Sequence, residues 1–310
     1  MTDEKQKNQN YKTEFSFSFN NLAERVSTML GSIGEEPEMA SFSEKVGDET
    51  SAKIDINGGI GKLHLHPGEN PALLAQVETR HVGKMLFSAI SDGTGSKTVK
   101  IENQVMKGGV RGIVGGFGKK DLFIDIALAP GLPLNVDVDS GVGESLLDLR
   151  GLHVADFKLE GGVGPSTVYL PDGDYKISIE GGVGPCHIHL PASSGNKARV
   201  EGGVGPMNLT VAENADATLE VEGGVGPANI NVPAGSPLMI EFESGLGPLN
   251  RPAGLVQKSQ NVWHTEGYDL AERSVYVKVK GGIGPVRVTF VTPDGEPLPG
   301  EKSKRKNDFV

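Results

Sequence analysis

The sequence predicts an all-β protein, a β-solenoid of about seven to eight two-stranded coils preceded by a short N-terminal amphipathic helix. Three observations carry this reading. A glycine-rich pentapeptide recurs about every 21 residues, apolar and polar residues alternate on both sides of it, and Gly supplies 44 of 310 residues while aromatics supply 5%. A chain of this kind turns often and fills its interior with aliphatic side chains.

The pentapeptide GGVGP starts at 161, 181, 202 and 223, with relatives SGVGE at 140, SGLGP at 244 and GGIGP at 281. The start-to-start spacings are therefore 21, 20, 21, 21, 21 and 37. Around Val183 the apolar set is Tyr175, Ile177, Ile179, Ile188 and Leu190; around Val225 it is Ala217, Leu219, Val221, Ile230 and Val232. The same columns fit Val142 and Ile283. A period of two puts these residues on one face and Lys176, Ser178, His187 and His189 on the other. One such hairpin-like unit cannot close a core, but copies stacked about 4.8 Å apart hydrogen-bond to their equivalents and make the apolar columns continuous. Gly161, Gly181, Gly202, Gly223 and Gly281 are the expected turn residues, through positive φ or close backbone approach, and Pro165, Pro185, Pro206, Pro227, Pro248 and Pro285 stiffen the same corner. A calcium-binding β-roll needs Asp in the sixth position on a nine-residue period, and here that position is Ser166, Cys186, Met207, Ala228, Leu249 and Val286.

Four segments follow from the pattern. Residues 1–50, with 10 acidic and 5 basic side chains, read as a mobile extension. Within it Leu22, Val26, Met29, Leu30 and Ile33 fall at helical spacing behind the capping pair Asn21 and Glu24, which predicts a helix over about 20–33 that either docks on the solenoid end as a cap or meets a partner or a membrane surface. Residues 51–130 form a less regular β region whose first part, KIDINGGIGKLHL, repeats the columns 82 residues ahead of Val142. Residues 131–292 are the regular repeat, with an insert at about 250–270 expected to fold over its edge as a loop. Residues 293–310 are a flexible tail containing the basic run KSKRK.

KIDINGGIGKLHL, the run LPLNVDVDSGVGESLLDLRGLHVADFKLEGGVG and the closing GYDLAERSVYVKVKGGIGPVRV resemble the opening, central and final segments of the toast-rack family, relatives of the C-terminal domain of Lia-type cell-envelope stress regulators in bacteria. The likeness spans about residues 51–292. It implies a β-solenoid without catalytic residues, concerned with protein interaction and envelope stress signalling. It supplies no functional residues to carry onto particular positions.

The chemistry the residues can support is limited. A net charge of −10, from 40 acidic against 30 basic side chains, is the wrong sign for coating nucleic acid. One cysteine, Cys186, cannot make an internal disulfide, and the sequence has neither a long apolar run nor a secretory leader, so the expected address is cytoplasmic, with peripheral contact at the inner face of the membrane. Stacking places Asp139, Glu160, Glu180, Glu201, Glu222 and Glu243 in one row ending at Lys280. The five glutamates are the candidate cation ligands, but hard cations want converging oxygens and outward side chains splay, so the expected state is a solvated acidic ridge without metal. His64 with His66, and His187 with His189, are pairs at strand spacing, with no third ligand evident in sequence. Ser259, His264 and Asp269 are triad types without shown geometry. The glycine run at 108–118 lacks the spacing of a phosphate loop, and each GGVGP is followed by a strand where a dinucleotide site needs a helix. Neither catalytic residues nor a cofactor is expected. The reading is a non-catalytic interaction module with an unidentified protein partner. Self-association into filaments is the alternative, and a carbohydrate-active enzyme is a weaker one.

Overall fold

In the computed structural model, residues 36–104, 121–192, 194–243 and 245–298 are described. The first strands are β1 (Glu38–Lys45), β2 (Ser51–Asn57), β3 (Lys62–Pro67), β4 (Leu73–His81), β5 (Lys84–Ser91), β6 (Ser96–Gln104) and β7 (Phe123–Leu128). The regular middle contains β8 (Leu134–Asp139), β9 (Ser145–Asp148), β10 (Val154–Glu160), β11 (Ser166–Tyr169), β12 (Lys176–Glu180), β13 (Cys186–Leu190), β14 (Ser194–Glu201), β15 (Met207–Val211), β16 (Asp216–Glu222) and β17 (Ala228–Pro233). The last are β18 (Leu238–Glu243), β19 (Leu249–Asn250), β20 (Val256–Ser259), β21 (Val262–His264), β22 (Val275–Lys280) and β23 (Val286–Val291).

They build two large, mostly parallel sheets. Sheet I has 11 strands in the order β1-β4-β7-β3-β9-β11-β13-β15-β17-β23-β19; sheet II has 12 in the order β20-β21-β18-β22-β16-β14-β12-β10-β8-β2-β6-β5. Each repeat sends its strand before the glycine corner to sheet II and its strand after the corner to sheet I, a solenoid-like stack. The apolar columns face inward between the sheets. Ile54, Val136, Phe157, Ile177, Ala198, Leu219, Val277 and Ile240 line one column of sheet II, and Leu65, Leu147, Val168, Ile188, Leu209, Ile230 and Val288 line one of sheet I, all buried. The sequence columns therefore correspond to physical ones.

The corners show why glycine is needed there. Hydrogen bonds run through them from rung to rung, with Val183 N donating to Gly162 O at 2.8 Å and Gly184 N to Val204 O at 2.9 Å. A Cβ on Gly182 would lie 1.9 Å from the carbonyl oxygen of Gly162, whereas Gly184 is needed for its φ of +137°. The first glycine of each motif, including Gly161, Gly181, Gly202 and Gly223, likewise leaves no room, since a Cβ there would meet the next rung's backbone within 2.2–2.6 Å. Between them, the motif's aliphatic residue points out of the main core. Val225, Leu246 and Ile283 are exposed, and Ile60 is buried only in a small separate cluster with Leu122 and Val142.

Two features depart from simple sequential stacking. The coil at 51–67 lies directly on β8 and β9, as its columns predict, with Ile54 opposite Val136 and Ile60 bridged to Val142. Strands β6 and β7 add a further rung outside it, closed by the antiparallel β5, β4 and β1. At the other end the final coil, β22 and β23, inserts between the coil of β16 and β17 and the coil of β18 and β19. The segment at 250–270, expected as a loop, contains the antiparallel hairpin β20–β21, which pairs with β18. Strand β1 lies inside the span read as an extension. Its Phe42 stacks on Phe87 of β5 at 5.4 Å and closes that end of the core. The helix predicted over about 20–33 lies outside the described residues, as does residue 299 onward of the tail expected over 293–310. The described start of that tail instead turns back on β23, with Leu298 N donating to Phe290 O at 3.2 Å.

A polar clasp holds the same end. Lys97 Nζ meets Glu44 Oε1 at 2.8 Å and Glu49 Oε1 at 3.0 Å, and Ser91 donates to Glu49. The Ser91 hydroxyl first, then Lys97, holds the Glu49 carboxyl down at about 2, against an ordinary value of 4.5.

Two outcomes are expected. Gly182→Ala should lower unfolding stability in urea by on the order of 3 kcal/mol, because backbone rather than a flexible side chain must move. Gly131→Ala, with nothing within 4 Å of its Cβ, should stay within about 0.5 kcal/mol. For the clasp, a depressed carboxylate stabilises fully above about 4.5 and loses its contribution as pH falls toward about 2. Hydrogen exchange across that window should show β1 and β5 opening before the central rungs, with Ser91→Ala moving the onset to higher pH; simultaneous opening of all strands would show that the clasp does not control this end.

Candidate functional site: the two outward faces

Among the described residues most inward positions are committed to the core, so the candidate chemistry lies on the outer faces, where register sets what meets what. On sheet II, the parallel register puts Asp139, Glu160, Glu180, Glu201 and Glu222 on successive rungs, then Lys280, then Glu243. Lys280 lies between two glutamates because its coil is the inserted one; the sequence placed it at the end of the row. The neighbouring row, two residues earlier on each strand, brings cations alongside. Lys158 meets Glu160 at 2.5 Å, Arg199 meets Glu201 at 2.8 Å and Glu222 at 3.8 Å, and Lys278 meets Glu243 at 2.8 Å and Glu241 at 3.3 Å. The pairs Lys158–Glu160 and Arg199–Glu201 arise because residues two apart on one strand share a face, whereas Arg199–Glu222 and the two Lys278 pairs cross between adjacent rungs.

The electrostatics follow the contacts. Glu243, and after it Glu241, raises the Lys278 ammonium well above the lysine range, while Glu201 raises Arg199 and Glu160 raises Lys158. Tyr276 donates its hydroxyl to Glu241, and burial, reinforced by that carboxylate, pushes the phenol up to about 12. Of the five candidate cation ligands, Glu160, Glu201, Glu222 and Glu243 thus stand in ion pairs. Exposed pairs of this kind contribute little to stability. A shallow depression on this face is lined by Arg199, Glu220, Glu222, Lys278 and Lys280.

Sheet I presents different chemistry. Arg150 makes two contacts to Asp148, at 2.8 and 2.6 Å, and lies 4.4 Å over the Tyr169 ring, which stacks on His189 at 4.3 Å. Burial, then His187, lowers the His189 imidazole. Asn229 donates to Asn208 at 2.9 Å farther along. At the opposite end β7 brings Asp125 beside β3, so its carboxylate contacts both His64, at 2.6 Å, and His66, at 3.2 Å. Sequence reasoning did not find Asp125. The alternation of FIDIAL marks it as an outward residue, but nothing in the sequence says that this strand lies beside KLHLHP.

The remaining candidates separate in space or find other partners. His264 Nδ1 contacts the Thr265 carbonyl at 2.8 Å and Asp269 accepts from Lys258 at 3.0 Å, so Ser259, His264 and Asp269 form no relay. Cys186 is buried, and burial pushes its thiol up to about 11, away from the reactive thiolate. Gly161, Gly181, Gly202, Gly223 and Gly281 all occupy corners. Leu22, Val26, Met29, Leu30, Ile33 and the run at 108–118 fall outside the described residues. Among the described residues no helix is long and apolar enough to cross a membrane.

Residues 32–189 match the family model described as the N-terminal domain of toast_rack, DUF2154. Among solved structures, a candidate cell adhesion protein from Clostridium sporogenes is 17% identical, with 82% of this chain and 99% of that chain covered and a TM-score of 0.42. A candidate adhesin from Bacteroides fragilis is 14% identical, covering 81% and 97%, with a TM-score of 0.34. Another from Parabacteroides merdae is 12% identical, covering 81% and 96%, with a TM-score of 0.31. No curated protein matches the chain significantly.

The inserted coil makes a direct prediction. In the pair Glu220→Cys with Lys278→Cys the positions are register partners, and adjacent-strand spacing is within reach of a disulfide. They should cross-link on mild oxidation without unfolding. The pair Glu220→Cys with Glu241→Cys, two rungs apart, should not; the reverse result would restore sequential stacking.

Proposed function

Because this chain belongs to the toast-rack family, we propose that it is a non-catalytic interaction module whose two sheets hold polar side chains in fixed rows for a protein partner. The observation that carries the reading is the division of labour across each strand: inward columns are predominantly apolar, while outward rows are a dense mosaic of charges, amides and rings set by rung spacing. A partner meeting such a surface loses little side-chain or backbone freedom in the module, which favours binding by preorganisation. The regular two-stranded coils form a β-solenoid in this reading, and the charge mosaic of sheet II sets partner choice and association rate more than raw affinity.

The amphipathic spacing of Leu22, Val26, Met29, Leu30 and Ile33 supports a reversible contact with a membrane surface, linking a cytoplasmic module to bacterial envelope stress. End-to-end filament formation is less favoured, since antiparallel strands β5, β1 and the β20–β21 hairpin interrupt the parallel register at three of the four sheet ends, and the fourth is the two-residue strand β19.

Flotation of the full chain with anionic liposomes tests the membrane arm. The wild type should float, and the double variant Val26→Asp with Leu30→Asp should remain at the bottom with its β-sheet circular dichroism unchanged. Flotation that survives the double variant would remove the helix from the reading; failure of both chains to float would leave a module that acts only on a protein partner.

A further inference from the structure

We propose that His64, His66 and Asp125 form a binding site for one divalent transition-metal ion of the zinc class, open to solvent on the outer face of sheet I. His64 and His66 stand two apart on β3 and therefore point to the same side, with ring centroids 4.6 Å apart. Strand β7 runs parallel beside β3 with Asp125 opposite His64, so three side chains from two adjacent strands converge. One ligand atom from each lies within 4.8 Å of the others. The spacing is fixed by the backbone ladder, because β3 is held between β7 and β9.

The hydrogen bonding calls for positive charge at this point. His66 Nδ1 lies 2.9 Å from the Pro67 carbonyl oxygen, which can only accept, so Nδ1 carries the hydrogen. In the neutral ring Nε2 then bears a lone pair, and it faces Asp125 Oδ2 at 3.2 Å, an acceptor against an acceptor. Only a second proton on the ring or a metal ion between them makes that contact favourable. The same Nδ1–H to carbonyl bond is the second-shell arrangement that orients a ligating imidazole. His64 Nδ1 approaches Asp125 Oδ1 at 2.6 Å, so the carboxylate is shared between both rings. Glu78 of β4 lies opposite Asp125 in the antiparallel register and adds negative charge on the same side.

Donor type selects the ion. Two imidazoles and one carboxylate suit Zn2+ and its neighbours in the transition series, whereas Ca2+ and Mg2+ require more oxygens. Three protein ligands leave one tetrahedral position facing solvent, available to water or to Glu78. The second pair, His187 and His189, has Thr167 and Tyr169 on one flanking strand and Asn208 and Thr210 on the other, so it lacks a carboxylate at the same place.

The test uses the full chain stripped of metal by chelation and titrated calorimetrically with Zn2+ at neutral pH. One saturable equivalent is expected, weakened at least ~100-fold by His64→Ala, by His66→Ala and by Asp125→Asn, since ligand loss should cost no less than loss of an outer-shell partner. His187→Ala with His189→Ala should leave it unchanged. In the wild type, Co2+ should broaden the imidazole proton resonances of His64 and His66 and spare those of His187 and His189, a readout that does not depend on any variant folding. Absence of saturable Zn2+ binding, binding that persists in His64→Ala with His66→Ala, or displacement of Zn2+ by millimolar Ca2+ would overturn the proposal.

Discussion

The contact between successive glycine corners is the constraint on which the rest of the structure depends. Each corner both donates to and accepts from each neighbouring rung: Val183 N reaches Gly162 O and Gly164 N reaches Val183 O on one side, and Gly184 N reaches Val204 O and Val204 N reaches Gly182 O on the other. These bonds continue the ladders of both sheets around the bend, so neither sheet can shift in register without the other. The second glycine of the motif makes the approach close enough; the third permits the bend that directs the chain into sheet I. Proline at the end of the motif has no N–H to pair, and its carbonyl accepts from the strand of the preceding rung, as Pro185 does from Ser166.

With corners this uniform, a rung is defined by its cross-section and not by its place in the chain. The final coil can therefore enter between two earlier ones, and the first can lie against a rung 82 residues away in sequence. Charge makes the C-terminal insertion favourable. Were the coils in sequence order, Glu220 and Glu222 would face Glu241 and Glu243 across one rung, a repulsion of roughly 1 kcal/mol per pair in water. Insertion sets Lys278 and Lys280 between them. Chain connectivity accommodates this through the excursion that forms the β20–β21 hairpin.

Much of this was legible in the residues because the signal is periodic. Tyr175, Ile177, Ile179, Ile188 and Leu190 announce an inward face, and KIDINGGIGKLHL announces a rung that belongs with the repeat despite its distance from it. The order of the last coils was not legible: every rung presents the same apolar columns to either neighbour, so columns cannot rank neighbours. Strand β1 was hidden for a related reason. Its inward residues are few, its partner β4 is outside the repeat, and an edge strand need satisfy only one side. The exposed row of Val225, Ile283 and Leu246 misleads in the opposite direction, since a recurring aliphatic residue suggests core while the corner turns it outward.

The two faces also differ in what sequence can reveal about them. The ion pairs of Lys158 with Glu160 and of Arg199 with Glu201 lie along a single strand, where period two alone brings them together. They would survive almost any rearrangement of the rungs. His64, His66 and Asp125 meet only because β7, 61 residues from His64 in the chain at Asp125, stacks beside β3. Such a cluster exists only when rung order and register are both correct. Chemistry that spans strands therefore depends on the fold in a way that chemistry within a strand does not, and the glycine corners that lock the register are as much a part of the His–Asp cluster as the three side chains themselves.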